Sequence, residues 1–286
     1  MPPRGIPDSV YSMHKLAILD MNAGHPNQGM RCIQQIAAGF ADRLTAQAYD
    51  VRANGELPDA SHDVYICSGG PGSPLATGEI WEREFFSLLD ELWAHNQATD
   101  DPARKKYVFF ICYSFQLAAR YFSAGSISRR RSMSFGTFPV HSTNSGDADV
   151  LFAGLSDPFY VADFRSFQVV RPNYSSLGTI GASVIALEKL RPHVPYERAI
   201  MAIRYSPEWV ATQFHPEADR DGMIEHFNDA ERKAVILEEH GEHKYLEMMS
   251  HLADPAKIQR TNEVIIPGFL RRALARLTAT DTPVAA

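Results

Sequence analysis

Three short stretches of the chain hold residue types able to do nucleophilic chemistry, and each contains an apolar strand-like run. In the first, Tyr107-Val108-Phe109-Phe110-Ile111-Cys112-Tyr113-Ser114-Phe115-Gln116-Leu117-Ala118, a buried-strand pattern passes directly into a helix pattern, with Cys112 at the junction. A thiol on that turn stands at the carboxyl edge of a sheet, where the N-terminus of the following helix stabilises its thiolate. A cysteine behind an apolar strand also reads simply as a small buried side chain. The second stretch, Trp209-Val210-Ala211-Thr212-Gln213-Phe214-His215-Pro216-Glu217, is a strand ending in His-Pro-Glu. Residues two apart on extended backbone point the same way. Glu217 can therefore fix the tautomer of His215 and stabilise its imidazolium while the other ring nitrogen faces a thiol. The third, Val64-Tyr65-Ile66-Cys67-Ser68-Gly69-Gly70-Pro71-Gly72-Ser73-Pro74, is a strand followed by a glycine-rich turn. It lacks the lysine and downstream Ser/Thr of a phosphate-binding loop. Two readings remain, a tight turn that needs positive φ or a loop whose amides form part of an oxyanion hole.

Taken together and in this order, the three segments resemble the class I, triad-type glutamine amidotransferases over about residues 15–218. Ser-Gly-Gly-Pro-Gly-Ser at 68–73 is similar to the oxyanion loop of that family, Ile-Cys-Tyr-Ser-Phe-Gln at 111–116 to its nucleophile elbow, and Gln-Phe-His-Pro-Glu at 213–217 to its His/Glu strand. The resemblance implies that Cys112 attacks the side-chain amide of glutamine, releases ammonia and leaves a γ-glutamyl thioester that water hydrolyses to glutamate. It further implies His215 as the base, Glu217 as its orienting partner, the amides of Gly70 and Tyr113 as the oxyanion hole, and Gly72 and Gln116 as substrate contacts. Neither a metal nor a cofactor belongs to this chemistry.

The chain departs from the family pattern at four positions. The elbow is usually Gly-x-Cys-x-Gly, and here Phe110 and Ser114 take the places of the glycines. Phe110 must find a pocket or shift the elbow. Arg165 and Phe167 stand where many relatives carry His and Asp. Three functions fit these residues: a glutaminase feeding ammonia to a separate acceptor protein such as a synthetase, a stand-alone hydrolase of γ-glutamyl peptides or amines, or a catalytically weak module that binds a partner or senses glutamine.

To position these groups the chain must build a sheet. Apolar runs at 16–19, 48–51, 64–67 and 107–111 read as strands, and helical spacing at 29–44 and 79–95 supplies the crossovers. This predicts an α/β fold with a mostly parallel central sheet flanked by helices, and the resemblance implies a flavodoxin-like arrangement. Shorter strand patterns at 134–140, 159–164, 167–170, 183–187, 199–204 and 210–214 predict an added antiparallel section. From Asp229 the pattern is helical: Asp229 caps a helix that Gly241 ends, Asp254-Pro255 opens another, and Pro267 kinks or ends it before 269–277. The expected organisation is an N-terminal extension over 1–14, an amidotransferase-like domain over 15–218, and a C-terminal helical extension over 219–286 packed on it. The segment 22–29 lies where ligands bind in open α/β sheets, and reads equally as a plain surface loop.

Composition limits the partners. The 286 residues carry a formal net charge of −6, which provides no basic field for nucleic acid or an anionic membrane. Arg129-Arg130-Arg131, set among serines, reads as a solvated loop. Three cysteines without a CxxC pair argue against a disulfide framework or a zinc knuckle and fit a reducing cytoplasm. The proline-containing start lacks the apolar core of a signal peptide, and no apolar stretch is long enough to span a membrane. His226, His240, His243 and His251 lack the carboxylate or cysteine that would complete a metal set and read as surface histidines.

Overall fold

Strands apolar on both faces must be covered on both faces, and the chain does this around one nine-stranded sheet. The computed structural model describes residues 13–192 and 197–279, so most of the expected N-terminal extension lies outside the described residues. In chain order the elements are β1 (His14–Asp20), α1 (Gln28–Ala38), β2 (Leu44–Asp50), β3 (Val64–Cys67), α2 (Ile80–Gln97), β4 (Tyr107–Ile111), α3 (Tyr113–Tyr121), β5 (Ser126–Ser142) and α4 (Asn144–Asp147). There follow β6 (Phe159–Val170), α5 (Tyr174–Thr179), β7 (Ser183–Glu188), β8 (Ile200–Arg204), β9 (Trp209–Thr212), α6 (Arg220–Asn228), α7 (Ala230–Ala253) and α8 (Ile258–Leu277).

The strand order is β2-β1-β3-β4-β9-β8-β7-β5-β6. The first five run parallel and the rest continue antiparallel, so the added section is as large as the parallel one and belongs to the same sheet. Parallel neighbours place the carboxyl ends of β3, β4 and β9 side by side, and all three chemically interesting segments leave the sheet there. The antiparallel end then curls back: Ala162 of β6 bridges to His215, whose N–H donates to its carbonyl at 2.9 Å.

Period-2 alternation splits the apolar residues between two faces. Leu16, Ile18, Phe109 and Ile111 join one cluster with Ile33 of α1 and with Ile265, Phe269 and Leu270 of α8. Ala17, Leu19, Tyr65 and Phe110 join another with Phe85 of α2 and Phe115 of α3. A third cluster joins α6 and α7 to β6 through Phe227, Tyr245, Met248 and Ala162. His240 stacks on Phe135 of β5 with ring centroids 4.6 Å apart, and His251 Nδ1 lies 2.7 Å from Thr137 Oγ1, so two of the histidines read as surface groups instead fasten α7.

Several boundaries differ from the sequence reading. Helix α1 stops at Ala38 because Gly39 caps it, and residue 44 opens β2 rather than closing a longer helix. The segments 159–164 and 167–170 form one strand. Arg129-Arg130-Arg131 is not a solvated loop but part of β5. There a bulge after Arg129 lets Arg130 turn inward to Gln168 at 2.7 Å and Glu188 at 3.2 Å. Gly241 breaks the helical backbone at φ +80, yet the chain resumes a helix at once. Asp254 forms a turn with the Ala256 N–H, so α8 opens at Ile258 and runs through Pro267.

Phe269 is 3% exposed and meets Phe109 edge-on at 5.2 Å. Phe269→Ala is expected to lower stability by about 3–5 kcal/mol in urea unfolding. A loss below about 1 kcal/mol would mean that α8 does not share the core of the sheet.

Candidate active site

Cys112 occupies a sharp turn between β4 and α3, with φ 50 and ψ −95. A non-glycine residue rarely adopts this conformation, and the surroundings must hold it. Ser114 does so. Its hydroxyl accepts from the Ile111 N–H at 2.8 Å and donates to the Cys67 carbonyl at 2.7 Å, tying the elbow to β3. Cys112 N–H donates to the Thr212 carbonyl at 2.8 Å, tying it to β9. Phe110 is fully buried on the face covered by α2 and α3, with its ring 5.8 Å from that of Trp209. The large side chain has therefore found a pocket, and the elbow keeps its turn.

His215 follows β9 and stands beside Cys112, the two side chains meeting under Gly69. Its Nδ1 is 2.8 Å from Glu217 Oε1. Burial works against a charged imidazole, but the Glu217 carboxylate and the Cys112 sulfur outweigh it and hold the His215 pKa well above the ordinary 6.5. Glu217 is 2% exposed, and its main-chain carbonyl accepts from Asn262 Nδ2 of α8 at 2.8 Å. A Cβ on Gly29 would stand 3.0 Å from Glu217 Oε1. The segment 22–29 thus borders this pair rather than lying apart from it. Burial pushes the Cys32 thiol up to about 12, aided by its hydrogen bond to Asp219, and raises that of Cys67 as well. Neither is a nucleophile near neutrality.

The glycine-rich loop passes directly over these groups. A Cβ on Gly69 would meet His215 Cε1 at 2.8 Å and Cys112 Cβ at 3.4 Å, and one on Gly70 would meet the Met21 carbonyl at 2.1 Å. Only glycine permits both approaches. Arg52 clamps the loop by donating to the carbonyls of Met21 at 2.8 Å and Pro71 at 2.6 Å. Its guanidinium lies 4.6 Å from the centre of the Tyr113 ring, and the Tyr113 hydroxyl reaches the Ser73 carbonyl at 3.3 Å. Gly72, at φ +104, stands beside the same arginine. The loop amides, the first turn of α3, the thiol and the imidazole therefore share one spot, a layout able to hold a developing oxyanion over a cysteine nucleophile.

Gln116 is 3% exposed, and its Nε2 donates to the main-chain carbonyl of Phe167 at 3.2 Å and to the side-chain Oε1 of Gln213 at 3.0 Å. Arg165 is buried in ion pairs with Asp163 at 2.9 Å and Glu188 at 3.4 Å. Gly69, Arg52, Gln213 and Asn262 were not singled out from the sequence. Gly69 and Gln213 do lie within the loop and His/Glu motifs, and Gln213, two residues before His215 on extended backbone, shares its face. Among the described residues no group of three His, Cys, Asp or Glu is placed to hold a metal ion, and no helix is long and apolar enough to cross a membrane.

A family model described as "Glutamine amidotransferase class-I" matches residues 43–227. Among solved structures, a glutamine amidotransferase from Thermotoga maritima is 16% identical, with a TM-score of 0.64 covering 94% of this chain and 100% of that one. One from Methylobacillus flagellatus is 13% identical, with a TM-score of 0.62 covering 96% and 99%. The glutaminase domain of a Trypanosoma brucei CTPS with bound acivicin is 15% identical, with a TM-score of 0.52 covering 72% and 86%. At these identities the likeness is one of fold. No curated protein sequence matches the chain significantly.

Because the folded-state pKa of His215 is raised, its charge contributes stability that is fully present below about pH 6.5 and is lost as pH rises through the folded value. Glu217→Gln removes the largest raising partner. The variant's deficit in urea midpoint is expected to be greatest near pH 6 and to shrink towards pH 9. A deficit independent of pH over that range would contradict the pairing.

Proposed function

The chain belongs to the class-I glutamine amidotransferase family, and from that premise we propose that it hydrolyses the side-chain amide of glutamine through a thioester on Cys112. The observation that carries the reading is the thiol on its strained elbow beside the His215–Glu217 pair. In this reading His215 holds the proton taken from Cys112, and the thiolate forms a bond to the amide carbon. The amides of Gly70 and Tyr113 receive the oxyanion, and Gly72 and Gln116 face the substrate side. Collapse of the tetrahedral adduct breaks the carbon–nitrogen bond, and His215 returns the proton to the departing nitrogen, which leaves as ammonia. Water, deprotonated by His215, then adds to the thioester. The carbon–sulfur bond breaks, glutamate leaves, and the thiol regains its proton. Every proton is carried by protein or solvent, so the reading calls for neither metal nor cofactor.

We further propose that the ammonia passes to a separate acceptor protein. The structural neighbour from T. brucei, a glutaminase domain of a CTPS, supports a role in supplying ammonia. Three free, buried cysteines support a reducing, cytoplasmic setting. One observation favours a second reading, a γ-glutamyl amine hydrolase acting alone. Arg165, at a position where many relatives carry His, is folded into ion pairs with Asp163 and Glu188, which alters the substrate side of the site.

Ammonia and glutamate release from glutamine, beside a panel of γ-glutamyl amides, tests both readings. Cys112→Ala is expected to lower release from the preferred substrate by about a thousandfold or more. Equal release by the variant would remove Cys112 from the chemistry, and turnover of the amides but not of glutamine would select the second reading.

A further inference from the structure

The Cys112 sulfur has two side-chain neighbours able to donate to it, His215 and Gln213. Gln213 is fully buried, its Nε2 lies 3.8 Å from Sγ, and its Oε1 accepts from Gln116 Nε2 at 3.0 Å. A carboxamide can be turned end for end, so which end faces the sulfur depends on what holds it. Here the orientation traces back to a main-chain atom. The Phe167 carbonyl on β6 can only accept, and Gln116 presents Nε2 to it at 3.2 Å. The second hydrogen of that nitrogen goes to Gln213, which must then offer its carbonyl to Gln116 and its N–H to Cys112. Reversing Gln116 would set its oxygen against the Phe167 and Gln213 oxygens, and reversing Gln213 would set two N–H donors against each other in a buried site.

We propose that Gln213 is a positioning residue that holds the Cys112 sulfur as a thiolate by donating to it, oriented through Gln116 by the Phe167 carbonyl. The inference rests on the reading of Cys112 as the nucleophile. A thiolate gains from N–H donors, whereas a thiol gains from acceptors. The Phe164 carbonyl, 3.9 Å from Sγ, is such an acceptor and pulls towards the protonated form. Gln213 opposes it and, being neutral, donates at every pH. The charged groups around the sulfur are His215 with Glu217 behind it on the β9 segment, and the Arg165–Asp163 pair flanking Phe164 on β6. Gln116 on α3 and residues 68–70 of the loop bring no charge. The arrangement gives Gln116 a task inside the protein, separate from any contact with substrate.

The test is the pH dependence of Cys112 alkylation by iodoacetamide in the full chain, read by mass spectrometry of the peptide that carries it. Methionine keeps the length of glutamine and has no N–H. Gln213→Met is expected to raise the apparent pKa of alkylation by about one unit, slowing alkylation about tenfold on the acidic limb of the profile. A second measurement needs no altered core: in the 15N-labelled wild-type protein, the Gln213 side-chain amide resonances should titrate with that same apparent pKa, and cease to do so in Cys112→Ser. An unmoved alkylation profile in folded Gln213→Met, or Gln213 amide resonances independent of pH in the wild type, overturns the proposal. Glutamine takes no part in either measurement. Absent turnover beside an intact Gln213 effect counts against the substrate, and normal turnover beside an unmoved profile counts against Gln213.

Discussion

The left-handed turn at Cys112 is the constraint around which the rest is arranged. An L-residue at φ 50 costs free energy of order 1–3 kcal/mol and persists only where neighbours hold it. The hydroxyl of Ser114 bonds the elbow to β3, and the Cys112 N–H bonds it to β9. The three strand ends that carry the loop, the thiol and the imidazole are thereby locked to one another. A glycine at 114 would leave the turn looser but would forgo that tie. Phe110, two residues before the thiol, points to the opposite face and packs near Trp209, so bulk there adds to the core without crowding the sulfur.

Electrostatics complete what the backbone begins. Burial alone would keep His215 neutral and a thiol protonated, and here the Glu217 carboxylate and the sulfur reverse that for the imidazole. The carboxylate is itself placed by two distant segments: Gly29 leaves room for it, and Asn262 of α8 holds its main chain. Arg52 fixes the loop on the other side, bonded to the Met21 and Pro71 carbonyls while its guanidinium lies against Tyr113. The pair is therefore a product of the whole sheet edge, with contributions from the end of β1 to the last helix.

Much of this is legible in the sequence. Cys112, His215 and Glu217 were legible because each sits in a short strand-terminal pattern whose spacing alone fixes direction. The parallel half of the sheet was legible from apolar runs separated by helical spacing. Other features were not. Arg130 looked solvated because three consecutive arginines suggest exposure, and only the bulge and the partner Glu188 on another strand explain why one turns inward. Arg52 and Asn262 act through main-chain carbonyls far away in sequence, and a carbonyl leaves no trace in the identity of its residue. Gln213 lay in plain view on the His/Glu strand, but its orientation depends on a main-chain carbonyl of β6.

One covalent event at one atom, the Cys112 sulfur, is central to the proposed chemistry. Rapid acid quenching of the enzyme during turnover of glutamine, followed by peptide mass spectrometry, reads it directly. A γ-glutamyl adduct on the peptide containing Cys112, formed and lost at the rate of ammonia release, is the predicted result. Steady ammonia release with no adduct on Cys112, or with the adduct on another residue, would contradict it.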